Sequence, residues 1–470
     1  MDNVLNYYIY NYIMKQSRKS RKCRKKSRKI RKSRKIRKSR KIRKTRKSRR
    51  FVKYGGGPPY IDSGIDSGIE LTIVSLSNKL NKDLINACWS ENIEKVKKLL
   101  KAGANPNIQN NDGDTALMIA CSRNKVEIVH ELLQAKGVDP NIRDNEGNTA
   151  LMFACLQNRV GIVRELLKEG VDHKFRNNNG DTALMIACSQ NKVEIVHDLL
   201  QMEGVDPNIR DNGGYTALIL ACIQNNVEIV RELLQAGGVD PNIQDNNGYT
   251  ALMYACSQNN VEIVRELLQA EGVDPNLQIN NVYTALILAC IQNRLGIVHE
   301  LLQARVDPNF KNNDGDTALI FASFGDDKVG IFRELLQAGA NPNIQNNDGY
   351  TALMYACIQN KVEIVRELLI KGANPNLRTI NGSTALSWAC ATGNIALIEL
   401  LVSDMSDVFI RINHNAALQA IIQNVNINES NKINLVRSFL LRHAQYNVDG
   451  GVVNTFIQNN RLIFTNMNEP

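Results

Sequence analysis

The chain has 470 residues, of which 43% are hydrophobic and 22% charged, with a formal net charge of +11. No apolar stretch approaches about 18 residues, so we expect no transmembrane helix. The charge is unevenly placed: residues 1–53 carry 25 Lys and Arg and one acid, which leaves 33 basic and 46 acidic residues in the remainder. The chain is therefore a strongly basic tail joined to a mildly acidic body.

The basic tail, residues 1–53, is a low-complexity segment. From Ser27 to Arg50 it repeats the unit X-Arg-Lys, where X is mostly Ser or Ile. A period of three fits neither a helix face nor a strand face, and like charges repel, so we expect disorder. Three roles stay open: binding of nucleic-acid phosphates, a nuclear or nucleolar import signal, and binding of anionic lipid. The candidate residues are Arg28, Lys29, Arg31, Lys32, Arg34, Lys35, Arg37, Lys38, Arg40, Lys41, Arg43 and Lys44.

A linker is predicted at residues 54–78. It opens with three glycines and two prolines, which neither a helix nor a central strand tolerates. It continues with a doubled Ile-Asp-Ser-Gly tetrapeptide, in which Asp62 to Ser67 resembles the phosphodegron pattern D-S-G-Φ-x-S. That resemblance implies phosphorylation of Ser63 and Ser67 and recognition by a ubiquitin ligase; plain duplication of the tetrapeptide is the alternative.

The body of the chain is built on a repeat. The tripeptide Thr-Ala-Leu recurs nine times at intervals of 33 or 34 residues, which indicates stacked supersecondary units rather than one globular core. It begins at Thr115, Thr149, Thr182, Thr216, Thr250, Thr284, Thr317, Thr351 and Thr384.

One unit reads as two short helices and a turn. Thr115 is a favourable N-cap for the first helix, and Asn124 and Lys125 separate it from a second. Pro140-Asn141 and Gly147 supply the turn residues of a hairpin that leads to the next Thr. The second helix is predicted to bury one apolar stripe, formed by Val126, Val129, Leu132 and Leu133.

This unit resembles the ankyrin repeat. The segment from Asp144 to Cys155 follows the pattern D-x-x-G-x-T-P-L-H-x-A-A, with Ala in place of Pro, usually Met or Ile in place of His, and Cys in place of the second Ala. The resemblance implies an all-α solenoid with a short β-hairpin in each repeat. Near-identical adjacent repeats and about an eighth Asn also make the chain resemble the multi-repeat ankyrin proteins of giant DNA viruses.

The repeat pattern predicts the following organisation. We expect the basic tail at 1–53, the linker at 54–78, an N-terminal capping repeat at 79–107, repeats at 112–142, 146–175, 179–209, 213–243, 247–277, 281–310, 314–343, 348–377 and 381–410, a degenerate C-terminal repeat at 412–449 and a tail at 450–470.

Nine of the ten cysteines follow the repeat. Because equivalent positions in stacked helices lie about 8–10 Å apart, neighbouring thiols are too distant for disulfides. No spacing suggests zinc, so we predict small buried apolar residues and a reducing, intracellular location. They are Cys88, Cys121, Cys155, Cys188, Cys222, Cys256, Cys290, Cys357 and Cys390.

Catalytic motifs are not found in the sequence. There is no G-x-S-x-G, H-E-x-x-H or G-x-x-x-x-G-K-[ST], so we expect no enzyme, no cofactor and no metal. His130, His197 and His299 share a second-helix position that holds Arg in other copies, which predicts a solvated face. On that face Glu228 and Arg231 are expected to pair within one helix.

The partner-binding residues are predicted from two repeat positions. The position before Thr-Ala-Leu lies on the exposed hairpin in the ankyrin family and often contacts partners, and aromatic side chains are favoured interface anchors. Duplication of a neutral Tyr is the alternative. The tyrosines, expected to form a stripe, are Tyr215, Tyr249, Tyr283 and Tyr350, and the apolar residues after Ala-Cys are Leu156, Ile223, Ile291 and Ile358.

These features predict a monomeric, non-enzymatic scaffold that binds an unidentified protein through its concave surface. The basic tail would provide nuclear or nucleolar targeting or nucleic-acid contact. One alternative is a nucleic-acid-associated protein acting through the tail. Another is a host ubiquitin-pathway adaptor, although residues 405–470 show no F-box-like sequence.

Overall fold

The computed structural model describes residues 67–279, 282–324, 328–404, 421–423, 427–442 and 458–459. Within them, ten helix pairs follow one another, so the all-α solenoid is confirmed. The first helices are Ser67–Trp89, Ala116–Ser122, Ala150–Leu156, Ala183–Ser189, Ala217–Ile223, Ala251–Gln258, Ala285–Ile291, Ala318–Ala322, Ala352–Ile358 and Ala385–Thr392. The second helices are Ile93–Lys101, Val126–Leu133, Val160–Lys168, Val193–Leu200, Val227–Gln235, Val261–Gln269, Leu295–Gln303, Val329–Gln337, Val362–Ile370 and Ile395–Asp404. We number these pairs as repeats 1 to 10.

The threonine of each Thr-Ala-Leu is an N-cap. Thr115 has an extended backbone and its hydroxyl accepts a hydrogen bond from the N–H of Met118 at 3.3 Å. The same bond forms in every later repeat through Thr384, whose hydroxyl accepts from the N–H of Ser387. An N-cap contributes about 1 kcal/mol to helix stability.

Asparagine ends most of the first helices. Asn124 has φ +61°, and the left-handed conformation turns the chain sharply into the second helix. Asn tolerates this region better than other non-glycine residues. The equivalent asparagines Asn158, Asn191, Asn225, Asn259, Asn293 and Asn360 all have φ between 57° and 60°.

The core runs the length of the array between the first and second helices. From repeat 2 to repeat 10, each first helix packs on its own second helix, and the first helices of neighbouring repeats among them pack on one another. In repeat 2 the second helix buries Ile128, Val129 and Leu132, whereas Val126 is 45% exposed. The predicted stripe is therefore wrong at Val126, which is the first residue of the short helix.

The hairpins contain no strand among the described residues. Each turn has a single facing residue pair, such as Asp144 and Asn148, in which the Asp144 N–H donates to the Asn148 carbonyl at 2.9 Å. The Gly147 N–H also donates to the Asp144 carbonyl within the turn, at 3.0 Å. Isolated bridges occur at Gln109–Thr115 and Ile279–Tyr283. The expected β-hairpins are thus reduced to tight turns, because the chain enters the next helix at the Thr cap immediately after this single pair.

Successive hairpin tips are hydrogen bonded to one another. The N–H of Asn145 donates to the carbonyl of Asp112 at 3.0 Å, and its side-chain amide donates to the carbonyl of Asn111 at 3.0 Å. Asn178 makes the same two contacts with the tip that contains Asn145. These bonds connect repeats directly, so part of the asparagine content has a structural explanation.

The two ends of the array differ from the expected organisation. The first helix begins at Ser67, inside the segment predicted to be linker to residue 78, because no glycine or proline follows Gly68 before Gly103. At the other end, helix Glu429–Arg442 contains the expected Leu435 to Leu441 segment, whereas Asn415 to Leu418 lies outside the described residues. No described helix is long and apolar enough to cross a membrane.

Candidate protein-interaction surface

The residue before each Thr-Ala-Leu occupies a fixed position at the end of the hairpin. The backbone N–H of Tyr215 donates to Asp211 Oδ1 at 2.8 Å, and its carbonyl accepts from the Asp211 N–H at 3.0 Å. Asp245 holds Tyr249 in the same way, at 2.9 Å for both bonds. The tyrosines therefore start from an ordered backbone, which reduces the entropy lost when a partner contacts them.

The structure separates the four predicted tyrosines into two groups. Tyr215 and Tyr249 both contact Tyr254, with ring centroids 6.2 and 5.2 Å apart. Tyr283 instead contacts Phe321 of the following repeat at 5.7 Å. The expected stripe is interrupted after Tyr249, because the ring that could continue it is replaced by Leu288 in repeat 7.

The aromatic residues that link these tyrosines were missed in the sequence. They occupy the fourth position of the first helix, which is the X of Ala-Leu-Met-X-Ala-Cys. This position holds an aliphatic residue in some repeats and an aromatic residue in others. Because the whole helix is apolar, the sequence indicates a core position there. The aromatic residues at this position are half-buried, and they are Phe153, Tyr254, Phe321, Tyr355 and Trp388.

The second group forms a continuous line of ring contacts across repeats 7 to 10. Successive ring centroids are 5.7, 6.4, 4.7, 5.1 and 6.0 Å apart, which is the usual range for interacting aromatic pairs. All its members are half-buried, so each keeps part of its ring accessible. We call this line the aromatic seam; in order of contact it consists of Tyr283, Phe321, Phe324, Tyr355, Tyr350 and Trp388.

Two tyrosine hydroxyls beside the hairpins are held in the neutral form. Tyr254 donates to Asp245 Oδ2 at 2.8 Å, and burial together with this bond raises the pKa of Tyr254. Burial raises the pKa of Tyr355 to about 12. Asn346 Nδ2 lies 3.3 Å from Tyr355 Oη and donates to Asp316 Oδ1 at 2.8 Å, so it connects the seam to a carboxylate.

The predicted apolar residues after Ala-Cys are placed at the ends of the first helices. Leu156 is 43% and Ile291 37% exposed, whereas Ile223 and Ile358 are half-buried. They lie three residues after the aromatic position, which places both on one face of the helix. Hairpin residues, the fourth helix position and these apolar residues together define the first-helix face.

The second helices carry a regular series of ion pairs between repeats. Its eight steps have N···O distances from 2.6 to 3.3 Å. The pairs are Lys97–Glu131, His130–Glu165, Arg164–Asp198, His197–Glu232, Arg231–Glu266, Arg265–Glu300, His299–Glu334 and Arg333–Glu367. We call this series the ion-pair ladder. Each exposed pair contributes about 0–1 kcal/mol to stability, so the contribution of the ladder comes from the number of its pairs rather than from the strength of any one pair.

The ladder corrects one prediction and confirms another. Arg231 pairs with Glu262 and Glu266 of the next repeat rather than with Glu228. The reason is that each helix carries a cation followed directly by an acid, so the cation pairs with the next repeat and the acid pairs with the preceding repeat. The solvated face expected for His197 is confirmed, since its side chain is 53% exposed. The ladder cannot extend beyond its ends, where Lys98 and Leu400 occupy the acidic position.

The family assignment follows from the sequence and this geometry together. The family described as Ankyrin repeats (3 copies) matches overlapping segments that run from residue 84 to residue 416. The chain belongs to the ankyrin-repeat family. Among solved structures it is similar to the ankyrin repeat domain of Bcl-3, described as a unique member of the IkappaB protein family, at 31% identity and a TM-score of 0.44. The match covers 47% of this chain and 99% of that one. No curated protein matches the chain.

The repeat cysteines of this ankyrin array are buried thiols. Burial raises the pKa of every one of them, to about 12 for Cys88, so they are protonated at neutral pH. A thiol of this kind is a poor nucleophile. In the described part of the chain no three His, Cys, Asp or Glu side chains are grouped so as to hold a metal ion.

Two of the predicted sites lie mainly outside the described residues. These are the basic residues Arg28 to Lys44 and the first degron serine, Ser63. Ser67 is the first residue of helix Ser67–Trp89. The proposals for the tail and the degron therefore depend on the sequence alone.

Proposed function

We propose that this ankyrin-repeat protein is a non-enzymatic scaffold that binds other proteins through its first-helix face. The observation that supports the proposal is the aromatic seam, in which half-buried rings remain in contact across four repeats. Aromatic side chains held on ordered backbone bury much area at a low entropy cost, and they dominate many interfaces.

The second helices are the less suitable binding surface. Their charges are used in the ion-pair ladder, in which each cation already has a carboxylate within 3.3 Å. A partner that bound there would have to break these pairs or leave them beside its own charges. The first-helix face has no such ladder among the described residues, and its half-buried rings are not covered by ion pairs.

An affinity capture from cell lysate tests the proposal. The baits are the full-length protein, the protein without residues 1–53, and a variant with the predicted tyrosines changed to serine. A control replaces Val126 and Leu295, which are exposed apolar residues of the second helices, with serine. We expect a protein that the first two baits and the control retain and the tyrosine variant loses. Equal retention by all baits would refute the proposal. The substituted residues are Tyr215, Tyr249, Tyr283 and Tyr350.

A second candidate function is nucleic-acid binding by the basic tail, which is favoured by its 25 Lys and Arg within 53 residues. Such binding would weaken by about 0.9 log units per log unit of salt for each phosphate contacted on duplex DNA. Capture that needs residues 1–53 and is lost with nuclease or added salt would support the tail. Capture by the aromatic first-helix face would not need residues 1–53.

A further inference from the structure

We propose that the aromatic seam binds an extended, arginine-bearing segment of a partner protein. This inference rests on the proposed function and specifies the chemistry of the partner. The seam runs across four repeats spaced about 8–10 Å apart, which makes it about 25–30 Å long. An extended chain rises about 3.3 Å per residue, so the seam accommodates about eight residues.

The charges beside the seam determine the sign of the charge expected on the partner segment. Asp314 and Asp348 are exposed at successive hairpin tips, and Asp316 is half-buried between them. None of the ion pairs in the described part of the chain uses these three carboxylates. Asp314 and Asp348 both act on Asp316 electrostatically, so the three carboxylates lie close enough to one another to interact.

These carboxylates lie next to the rings. Asn346 connects Asp316 to Tyr355 through contacts of 2.8 and 3.3 Å, and the Tyr350 ring stacks on the Tyr355 ring at 5.1 Å. A cation over an aromatic face within about 6 Å of its centroid is attracted by the ring. The same cation can reach a hairpin carboxylate, so both contacts favour positive charge.

The combination of ring and carboxylate selects arginine over lysine. A guanidinium is planar, stacks on aromatic faces and can donate two parallel hydrogen bonds to a carboxylate, whereas an ammonium acts as a hydrated point charge. Tyr215 and Tyr249 offer a weaker version of this site. Their neighbours Asp211 and Asp245 already accept hydrogen bonds from the turn backbone, and Asp245 also accepts the Tyr254 hydroxyl.

Fluorescence anisotropy with short labelled peptides tests the proposal on the full-length protein. The probes are peptides of about eight residues in which glycine alternates with arginine, lysine, glutamine or glutamate, a length set by the seam. We expect the arginine peptide to bind tightest, the lysine peptide more weakly and the other two least. An arginine peptide that binds no tighter than the glutamine peptide would overturn the proposal.

Charge-matched variants separate the seam from general electrostatic attraction. Changing Asp314→Asn and Asp348→Asn together should weaken binding of the arginine peptide by about fivefold, since two exposed ion pairs are lost. The control changes Glu127→Gln and Glu363→Gln, two exposed carboxylates of second helices, and removes the same charge. We expect the control to bind like the unchanged protein. Equal weakening in both would show non-specific attraction and refute the site.

Substitutions in the seam test the ring contribution. Tyr350→Ser should weaken the arginine peptide at least threefold, whereas Tyr350→Phe keeps the ring and should bind normally. If the serine variant binds as well as the phenylalanine variant, the ring is not part of the site. A captured protein lost with the tyrosine-to-serine variant but indifferent to the Asp314 and Asp348 changes would leave the scaffold function standing and reject an arginine-bearing partner.

Discussion

The contact between hairpin tips makes a quantitative prediction at Gly214. This residue has φ +86°, and a Cβ atom placed on it would lie 2.6 Å from the backbone N of Asn246 and 2.7 Å from Arg210 Nη2. The Asn246 N–H donates to the carbonyl of Gly213 at 3.0 Å, so a methyl group here would push the two tips apart. We expect Gly214→Ala to destabilise the junction between repeats 5 and 6.

The magnitude has two parts. A left-handed backbone costs a non-glycine residue about 1–2 kcal/mol, and a lost hydrogen bond costs about 1 kcal/mol. Gly214→Ala should therefore cost about 2–3 kcal/mol. Gly272→Ala is the matched control, because Gly272 has φ +76° with no atom within 4 Å of the added Cβ, so only the first part applies.

Hydrogen exchange of the backbone amides is the suitable assay, since a repeat array need not unfold in one step. The destabilisation by Gly214→Ala is expected to exceed that by Gly272→Ala by about 1 kcal/mol. Amide protection around Asn246 in the first variant should therefore fall about fivefold more than amide protection around Gly272 in the second. Equal losses in the two variants, or unchanged protection near Asn246, would refute close contact between the tips.

Three further predictions concern other parts of the array. Lys174 occupies the position at which other repeats have an asparagine that hydrogen bonds to the next repeat, as Asn208 does. Lys174→Asn should therefore raise the free energy of unfolding of this junction by about 0.5–1.5 kcal/mol, measured by urea unfolding. An unchanged or lower free energy of unfolding would contradict the prediction. At pH 8 a thiol reagent should modify Cys88 only after denaturation, because burial raises the pKa of this thiol to about 12. Labelling of Cys88 in the folded protein would contradict this prediction and show that the core is open. The hydrogen bond to Glu232 raises the pKa of His197, so the stability from this pair is complete below about pH 6.5 and is lost as the pH rises through the folded pKa. An NMR titration that gave His197 an ordinary pKa would refute the last prediction.

The repeat architecture follows from the sequence alone. The Thr-Ala-Leu period locates the first helix of repeats 2 to 10, because a threonine cap followed by an apolar helix is a local signal that needs no distant contact. The buried cysteines were predictable for a similar reason, because equivalent positions of near-identical repeats lie in the same environment in every unit. The basic tail and its charge were also evident from the sequence alone.

Which residues meet across repeats depends on how the units stack. Arg231 has suitable carboxylates at Glu228 and Glu262, and only the stacking geometry selects Glu262 and Glu266. The aromatic seam joins hairpin and helix positions that lie far apart in sequence, and the Asn178 side chain finds its partner on the preceding hairpin tip. A period identifies equivalent positions within each unit, but the side chains in contact between units depend on the offset and rotation with which the units stack.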